Sequence, residues 1–189
     1  MKNEVGPQTL MLLSGGIDSA ACLNLMLKQG FEVSGFFVDY GQEAAEPEAE
    51  SAERVSSHYR IDLQTLKVST KSGQLFTPGE IRGRNAFLIF SALMYSGIKT
   101  GIVVIGVHDG TPYFDCSTRF INATAQTISE STSGKVKLIA PFEKWMKPDI
   151  IEYCKMENVP IHLTYSCEAG KLPPCGICNS CLDRQQWLR

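Results

Sequence analysis

The chain has 189 residues, 43% of them apolar and 20% charged, with a formal net charge of −2. That length supports one domain with a substantial core and room for a small appendage. The charge balance excludes a general electrostatic attraction to nucleic acid or anionic lipid, and no apolar run approaches the ~20 residues that span a bilayer.

Met1 to Pro7 carries both charge signs and no apolar stretch of the kind a secretory leader needs. The expected location is therefore the cytoplasm, where the seven cysteines stay reduced. Thr9 to Leu13 reads as a short buried strand that ends in the loop Ser14 to Ser19. Ala20 to Gln29 reads as a helix stopped by Gly30. A strand over Phe31 to Val38 follows, then an acidic-faced helix over Pro47 to Tyr59 with Val55 and Tyr59 on one side. Glu43 to Glu53 holds five glutamates and no basic residue, the pattern of a solvated helix face. Leu63 to Val68 is a third strand. Asn85 to Tyr95 is apolar almost all round and predicts a buried helix ended at Gly97. Ile102 to Val107 is a fourth strand, Thr118 to Ser131 a helix, Val136 to Ala140 a fifth strand, and Pro148 to Glu157 a helix with proline near its first position.

Alternating strands and helices imply right-handed crossovers and a five-stranded, doubly wound parallel sheet, an α/β fold. Ligands of such sheets bind beyond the C-terminal strand ends. The segments 14–19, 39–42 and 108–117 each follow a strand, so they should share one rim.

The segment Leu13, Ser14, Gly15, Gly16, Ile17, Asp18 and Ser19 is the most informative. Two glycines let the backbone come close to a ligand, the serines offer hydroxyls, and the following helix presents unpaired N–H groups. A strand-to-helix turn of this kind cradles anions. Asp18, being negative, reads either as a helix cap or as a holder of Mg²⁺ against phosphates. The loop lacks the lysine of a Walker A motif and is not G-x-G-x-x-G. Its pattern S-G-G-x-D-S resembles the signature of the ATP pyrophosphatases, the group containing GMP synthetase, NAD synthetase and tRNA lysidine synthetase, which cleave ATP between the α and β phosphates.

Cys175, Cys178 and Cys181 form two overlapping C-x-x-C steps, with Cys167 eight residues upstream. Four thiolates close a tetrahedral shell with no open position, so the expected ion is a structural Zn²⁺. An iron–sulfur cluster is the rival, although the ferredoxin run has its fourth cysteine downstream. These readings divide the chain into a 1–160 α/β domain and a 161–189 zinc-binding segment.

The S-G-G-x-D-S loop, a G-R-N before the apolar helix, a D-C after the fourth strand, Val38-Asp39-Tyr40-Gly41-Gln42 and the terminal C-x₇-C-G-x-C-x-x-C together resemble the 7-cyano-7-deazaguanine synthase family of queuosine biosynthesis. The resemblance runs from about Leu12 to Arg184. It implies an adenine nucleotide alpha hydrolase-like fold and an ATP-dependent carbon–nitrogen ligase. In that reaction ATP adenylates the carboxylate of 7-carboxy-7-deazaguanine, ammonia displaces AMP, and a second activation dehydrates the amide to a nitrile.

The resemblance also implies roles. Ser14 to Ser19 would bind pyrophosphate. Asp39, Tyr40, Gly41 and Gln42 would lie near the adenosine. Arg84 and Asn85, of the G-R-N, would meet phosphate or carboxylate. Lys147 would neutralise the α-phosphate or else is an ordinary exposed lysine. Asp115 would meet the deazaguanine N–H groups or Mg²⁺, or else caps its loop. His108 is a candidate base or a structural histidine. Zn²⁺, Mg²⁺ and ATP are the expected cofactor and co-substrates, and a homodimer is allowed. No membrane and no direct nucleic-acid partner is expected.

The chain departs from the family at Ser117 and Arg119, where an arginine and an acidic residue are usual. It departs again at Glu43-Ala44-Ala45-Glu46, where the family is basic, and in a connection of only fifteen residues between Val68 and Arg84. These departures suggest an alternative, a paralogue that joins a deazaguanine carboxylate to another amine acceptor, such as a protein. A non-catalytic zinc module contacting RNA is the third reading, disfavoured by the acidic balance.

Overall fold

The computed structural model describes residues 8–68 and 81–187. The reading of Met1 to Pro7, and most of the connection between Val68 and Arg84, lie outside the described residues. Five parallel strands form one sheet: β1 (Gln8–Leu12), β2 (Glu32–Asp39), β3 (Leu63–Lys67), β4 (Gly101–Val104) and β5 (Val136–Ile139), in the order β3-β2-β1-β4-β5. The helices are α1 (Ile17–Lys28), α2 (Ala45–Tyr59), α3 (Arg84–Tyr95), α4 (Thr118–Ser131), α5 (Lys147–Met156) and α6 (Asn179–Trp187). The expected parallel, doubly wound α/β sheet is present.

Side chains alternate along β1, which builds two cores. Met11, with Leu13 just beyond the strand, packs among α1, α2 and α5 around Leu23, Met26, Val55 and Ile150. Leu10 and Leu12 pack on the opposite face with α3 and α4 around Ile89, Phe120 and Ile128. From β1 the chain steps outward to β2 and β3 on one side, then crosses back to β4 and β5 on the other, so the connections run in opposite directions from β1. The crevice opens where those directions part, at the C-terminal end of β1.

Two expectations need correction. Helix α1 begins at Ile17 rather than Ala20, so Asp18 and Ser19 belong to its first turn instead of a free loop. Helix α3 is not buried all round: Phe87, Phe90, Met94 and Tyr95 are exposed, while Asn85, Ile89, Ser91 and Ala92 are buried. It contacts β1, β4 and the 3-10 turn Phe114–Cys116, so one stripe meets the sheet while Phe87, Phe90, Met94 and Tyr95 stay exposed. The 3-10 turns Phe114–Cys116 and Ile161–Leu163, and helix α6, carry no periodic apolar signal. Among the described residues no helix is long and apolar enough to cross a membrane.

Candidate active site and metal centre

The loop after β1 is held from three directions. The Gly15 carbonyl accepts from Ser51 Oγ at 2.7 Å and from the Tyr165 N–H at 3.0 Å, and Ser51 Oγ also lies 2.8 Å from the Leu163 carbonyl. Gly15 has φ +77°, and a Cβ there would stand 2.6 Å from the Glu48 carbonyl oxygen and 2.9 Å from the Ala52 nitrogen. Its lack of a side chain therefore serves the packing of the loop against α2. Gly16 differs. It is the N-cap of α1 with φ −80°, and the nearest atom to a Cβ is Ser14 Oγ at 3.5 Å. Gly16 leaves open the space that a ligand approaching the helix N-terminus would use. Ser14 Oγ donates to Ser19 Oγ at 3.2 Å, and Ser19 Oγ lies 3.0 Å from the Gly16 carbonyl.

Asp18 Oδ1 accepts from Lys147 Nζ at 2.5 Å, and His108 Nε2 stands 4.0 Å from Asp18 Oδ2. Lys147 opens α5, whose start is fixed by the Met146 N–H donating to Asp149 Oδ2 at 2.8 Å and by Pro148. A lysine at a helix N-terminus opposes the helix dipole. Its side chain is only 20% exposed, so an ordinary surface lysine is excluded. The starts of α1 and α5 thus meet across the Asp18–Lys147 pair, and the place where they meet favours an anion.

On the β2 side, the Gly41 N–H donates to Asp39 Oδ1 at 3.0 Å, and Lys67 Nζ pairs with Asp39 Oδ2 at 3.2 Å. The Tyr40 N–H donates to Gln42 Oε1 at 2.9 Å, and Gln42 Nε2 donates to Glu48 Oε2 at 2.9 Å. Arg84, at the start of α3, hydrogen-bonds Tyr40, whose pKa burial nevertheless raises. Glu48 corrects the reading of a solvated acidic face: α2 turns this glutamate inward, where it lines the cavity.

A cavity of about 1010 Å³ opens at this end of the sheet. Its wall includes Leu13, Ser14, Gly16, Ile17, Asp18, Ser19, Tyr40, Gln42, Arg84, Asn85, His108 and Lys147. The expected common rim is therefore formed. Asp115 is placed otherwise. It is buried, its Oδ2 accepts the Asn85 N–H at 3.1 Å, its carbonyl accepts from Asn85 Nδ2 at 2.9 Å, and it is absent from the cavity wall. That is the loop-capping geometry, with the aspartate tying the 3-10 turn to the start of α3. Cys116 does line the cavity, and burial pushes its thiol up to about 11.

Ser117 and Arg119 also lie off the wall. Ser117 is the N-cap of α4: its hydroxyl accepts from the Phe120 N–H at 3.2 Å and donates to the Phe114 carbonyl at 2.6 Å. Arg119 is exposed. Ser117→Ala is expected to lower stability by about 1 kcal/mol, the usual cost of a lost cap. Urea unfolding measures it, and an unchanged midpoint would show that the cap is dispensable.

The four cysteines converge. The Sγ atoms of Cys167, Cys175, Cys178 and Cys181 all lie within 4.8 Å of one another, and those of Cys175 and Cys181 are 3.9 Å apart. Burial works against the Cys167 thiolate. Backbone N–H groups of Cys175, Lys171 and Ala169 aimed at its sulfur outweigh burial and bring the thiol down to about 6. Burial pushes Cys181 up to about 12. The cluster packs on Ala44 and Tyr165. Glu168 caps α6, accepting from Ser180 N–H at 3.1 Å and Ser180 Oγ at 2.7 Å. Arg184 of α6 reaches back to the Ile161 carbonyl at 2.9 Å and Thr164 Oγ1 at 2.9 Å. Glu168, Ser180, Arg184 and Trp187 all line the cavity. The cysteine-bearing segment therefore forms one wall of the site, and no sequence period announces that role.

The family model of queuosine biosynthesis protein QueC matches residues 8–189. The chain belongs to the QueC family. Among curated relatives, the 7-cyano-7-deazaguanine synthase of Acetivibrio thermocellus is 32% identical over 202 residues, covering 94% of this chain and 90% of that one. The 7-cyano-7-deazaguanine synthase of Methanothermobacter thermautotrophicus is 30% identical over 209 residues, covering 95% and 93%. Among solved structures, the U34-tRNA thiolase NcsA from Methanococcus maripaludis with its [4Fe-4S] cluster superposes with a TM-score of 0.55 at 17% identity. The match covers 82% of this QueC-family chain and 59% of NcsA, and at that identity it speaks for the fold alone. Membership in QueC makes the chain an enzyme of the ATP-dependent ligase type.

Proposed function

We propose that the chain converts 7-carboxy-7-deazaguanine to 7-cyano-7-deazaguanine by adenylating its carboxylate with ATP, amidating it with ammonia and dehydrating the amide after a second activation. The observation that carries the reading is the S-G-G-x-D-S turn, set at the crevice beside β1 and opening on the cavity through the unobstructed side of Gly16. A carboxylate resists attack by an amine because its leaving group would be oxide. Joining it to AMP supplies a stable leaving group, and the charge that develops on pyrophosphate needs fixed donors. The first turn of α1, Ser14 and Ser19 provide those donors. Lys147 would neutralise charge on the α-phosphate, and Asp18 would hold a Mg²⁺ whose chemistry would be to offset phosphate charge. Arg84, with Asn85 beside it at the start of α3, meets a phosphate or the substrate carboxylate. Asp39 to Gln42 take the adenosine side.

The cysteine set fits one tetrahedral Zn²⁺. Ligands at about 2.3 Å place neighbouring sulfurs about 3.8 Å apart, close to the Cys175–Cys181 separation. A cubane cluster needs its thiolates spread around several metal and sulfide atoms. The 161–189 segment is proposed as a metal-stabilised unit folded onto the 1–160 domain, and the protein is read as cytoplasmic. The other-acceptor reading drew on Ser117 and Arg119, on Glu43 to Glu46 and on the short connection before Arg84. None of residues 43–46, 117 and 119 lines the cavity, and most of the connection lies outside the described residues, so no observation in the site favours it.

Mass spectrometry after incubation with ATP, ammonium and 7-carboxy-7-deazaguanine tests the proposal. Nitrile, AMP and pyrophosphate are expected, and ADP as the first nucleotide product would overturn adenylation. The two loop glycines give a second test. Gly15→Ala is expected to cost roughly 2–5 kcal/mol, from the positive φ and the clash with α2. Gly16→Ala should change stability by less than about 1 kcal/mol yet reduce ATP–pyrophosphate exchange by roughly a hundredfold, because a methyl group stands where phosphate must approach. Unfolding curves paired with exchange rates read both, and a Gly16→Ala protein of full activity would remove the phosphate from that site.

A further inference from the structure

Of the acidic side chains at the cavity, most have an evident local duty. Asp18 pairs with Lys147, Glu168 caps α6, Asp109 Oδ1 accepts the Gly110 N–H at 2.8 Å, and Asp183 is exposed. Glu48 is different. Its Oε2 has a determined role, because the Tyr40 N–H donates to Gln42 Oε1, which leaves Gln42 Nε2 as donor and Glu48 Oε2 as acceptor. Among the described residues nothing donates to Oε1. Burial raises the Glu48 pKa, opposed by the Gln42 hydrogen bond and the Arg84 charge.

The position of the carboxylate narrows what it meets. The Glu48 carbonyl packs directly on Gly15 of the phosphate loop, while its side chain reaches the Tyr40–Gln42 turn. The carboxylate therefore lies between the loop that takes phosphate and the turn that takes adenosine, and it repels phosphate oxygens. A group lying there must present hydrogen-bond donors. We propose that Glu48 is the residue that recognises the ribose of the nucleotide, its carboxylate accepting from the vicinal hydroxyls. The assignment rests on the ATP reading above and adds a selection of ribonucleotide over deoxyribonucleotide.

Calorimetric titration of the full chain with Mg²⁺–ATP and with Mg²⁺–2′-deoxy-ATP tests this without requiring turnover. A failure of the adenylation chemistry is therefore seen separately, in the product assay. The unmodified protein is expected to bind ATP roughly ten- to hundredfold more tightly than the deoxy analogue, the usual worth of a hydrogen bond to a charged partner. Glu48→Gln keeps shape and the Gln42 contact and should bring the ratio to within about threefold, while Glu48→Asp should fall between. A lost structural role would weaken both nucleotides alike and leave the ratio standing. Equal binding of the two nucleotides by the unmodified protein, binding of neither, or a preference surviving in Glu48→Gln would overturn the assignment. So would a Glu48→Gln protein that keeps its ribose preference and loses affinity for 7-carboxy-7-deazaguanine, since the carboxylate would then read the N–H edge of that substrate.

Discussion

Asp18→Asn is expected to reduce ATP–pyrophosphate exchange by roughly a thousandfold or more while the protein stays folded. The substitution keeps the volume and removes the charge that would hold Mg²⁺. It also leaves Lys147 beside the α5 N-terminus without its anion. The pair is 28% and 20% exposed, so removing one partner should cost more than a surface pair does, roughly 1–3 kcal/mol, which leaves the protein folded. Lys147→Met should be impaired as well. Because both residues act on one polyphosphate, the double variant should be little worse than the poorer single one. Multiplying defects would show that Asp18 and Lys147 serve separate steps, and the coupled role given to them here would have to be abandoned.

Cys181→Ser should be the most damaging change to the fold. Cys181 is 4% exposed and sits at the start of α6, so a missing thiolate breaks the metal shell and the cavity wall together. Bound zinc is expected to fall from one per chain to a small fraction. Stability should drop by at least about 4 kcal/mol, with loss of hydrogen-exchange protection concentrated in residues 161–187. Elemental analysis and urea unfolding decide the matter. Iron with sulfide in the unmodified protein, or a metal-free protein of full stability, would refute a zinc site.

The order of strands and helices was legible because most of the parallel strands are short apolar runs and α1 and α3 stop just before Gly30 and Gly97, although α2 ends at its C-cap Arg60 without either glycine or proline. The phosphate loop and the cysteines were legible because their chemistry is local in sequence. What was hidden depends on distance or on context. Asp18 and Lys147 meet across 129 residues. Glu48 sits in a run of glutamates, and only the packing of α2 against Gly15 decides which of them turns inward. The aromatic residues of α3 read as core because periodicity reports what a helix is able to bury rather than what covers it. Asp115 read equally as ligand contact or cap, and the answer came from the start of α3, thirty residues earlier in the chain.

The unequal surroundings of Gly15 and Gly16 bear on how such chains diverge. Gly15 is held by the backbone of α2, so selection for a stable fold alone preserves it in a descendant that has lost all chemistry. At Gly16 a Cβ would meet nothing nearer than Ser14 Oγ at 3.5 Å and the Tyr165 carbonyl at 3.8 Å, so the fold tolerates a methyl group there and only a visiting ligand keeps it out. A lineage drifting away from nucleotide use should therefore lose the second glycine first. In a genome survey, a strand-to-helix turn that keeps Gly15 and carries alanine or serine at position 16 would mark a retired enzyme rather than a working one.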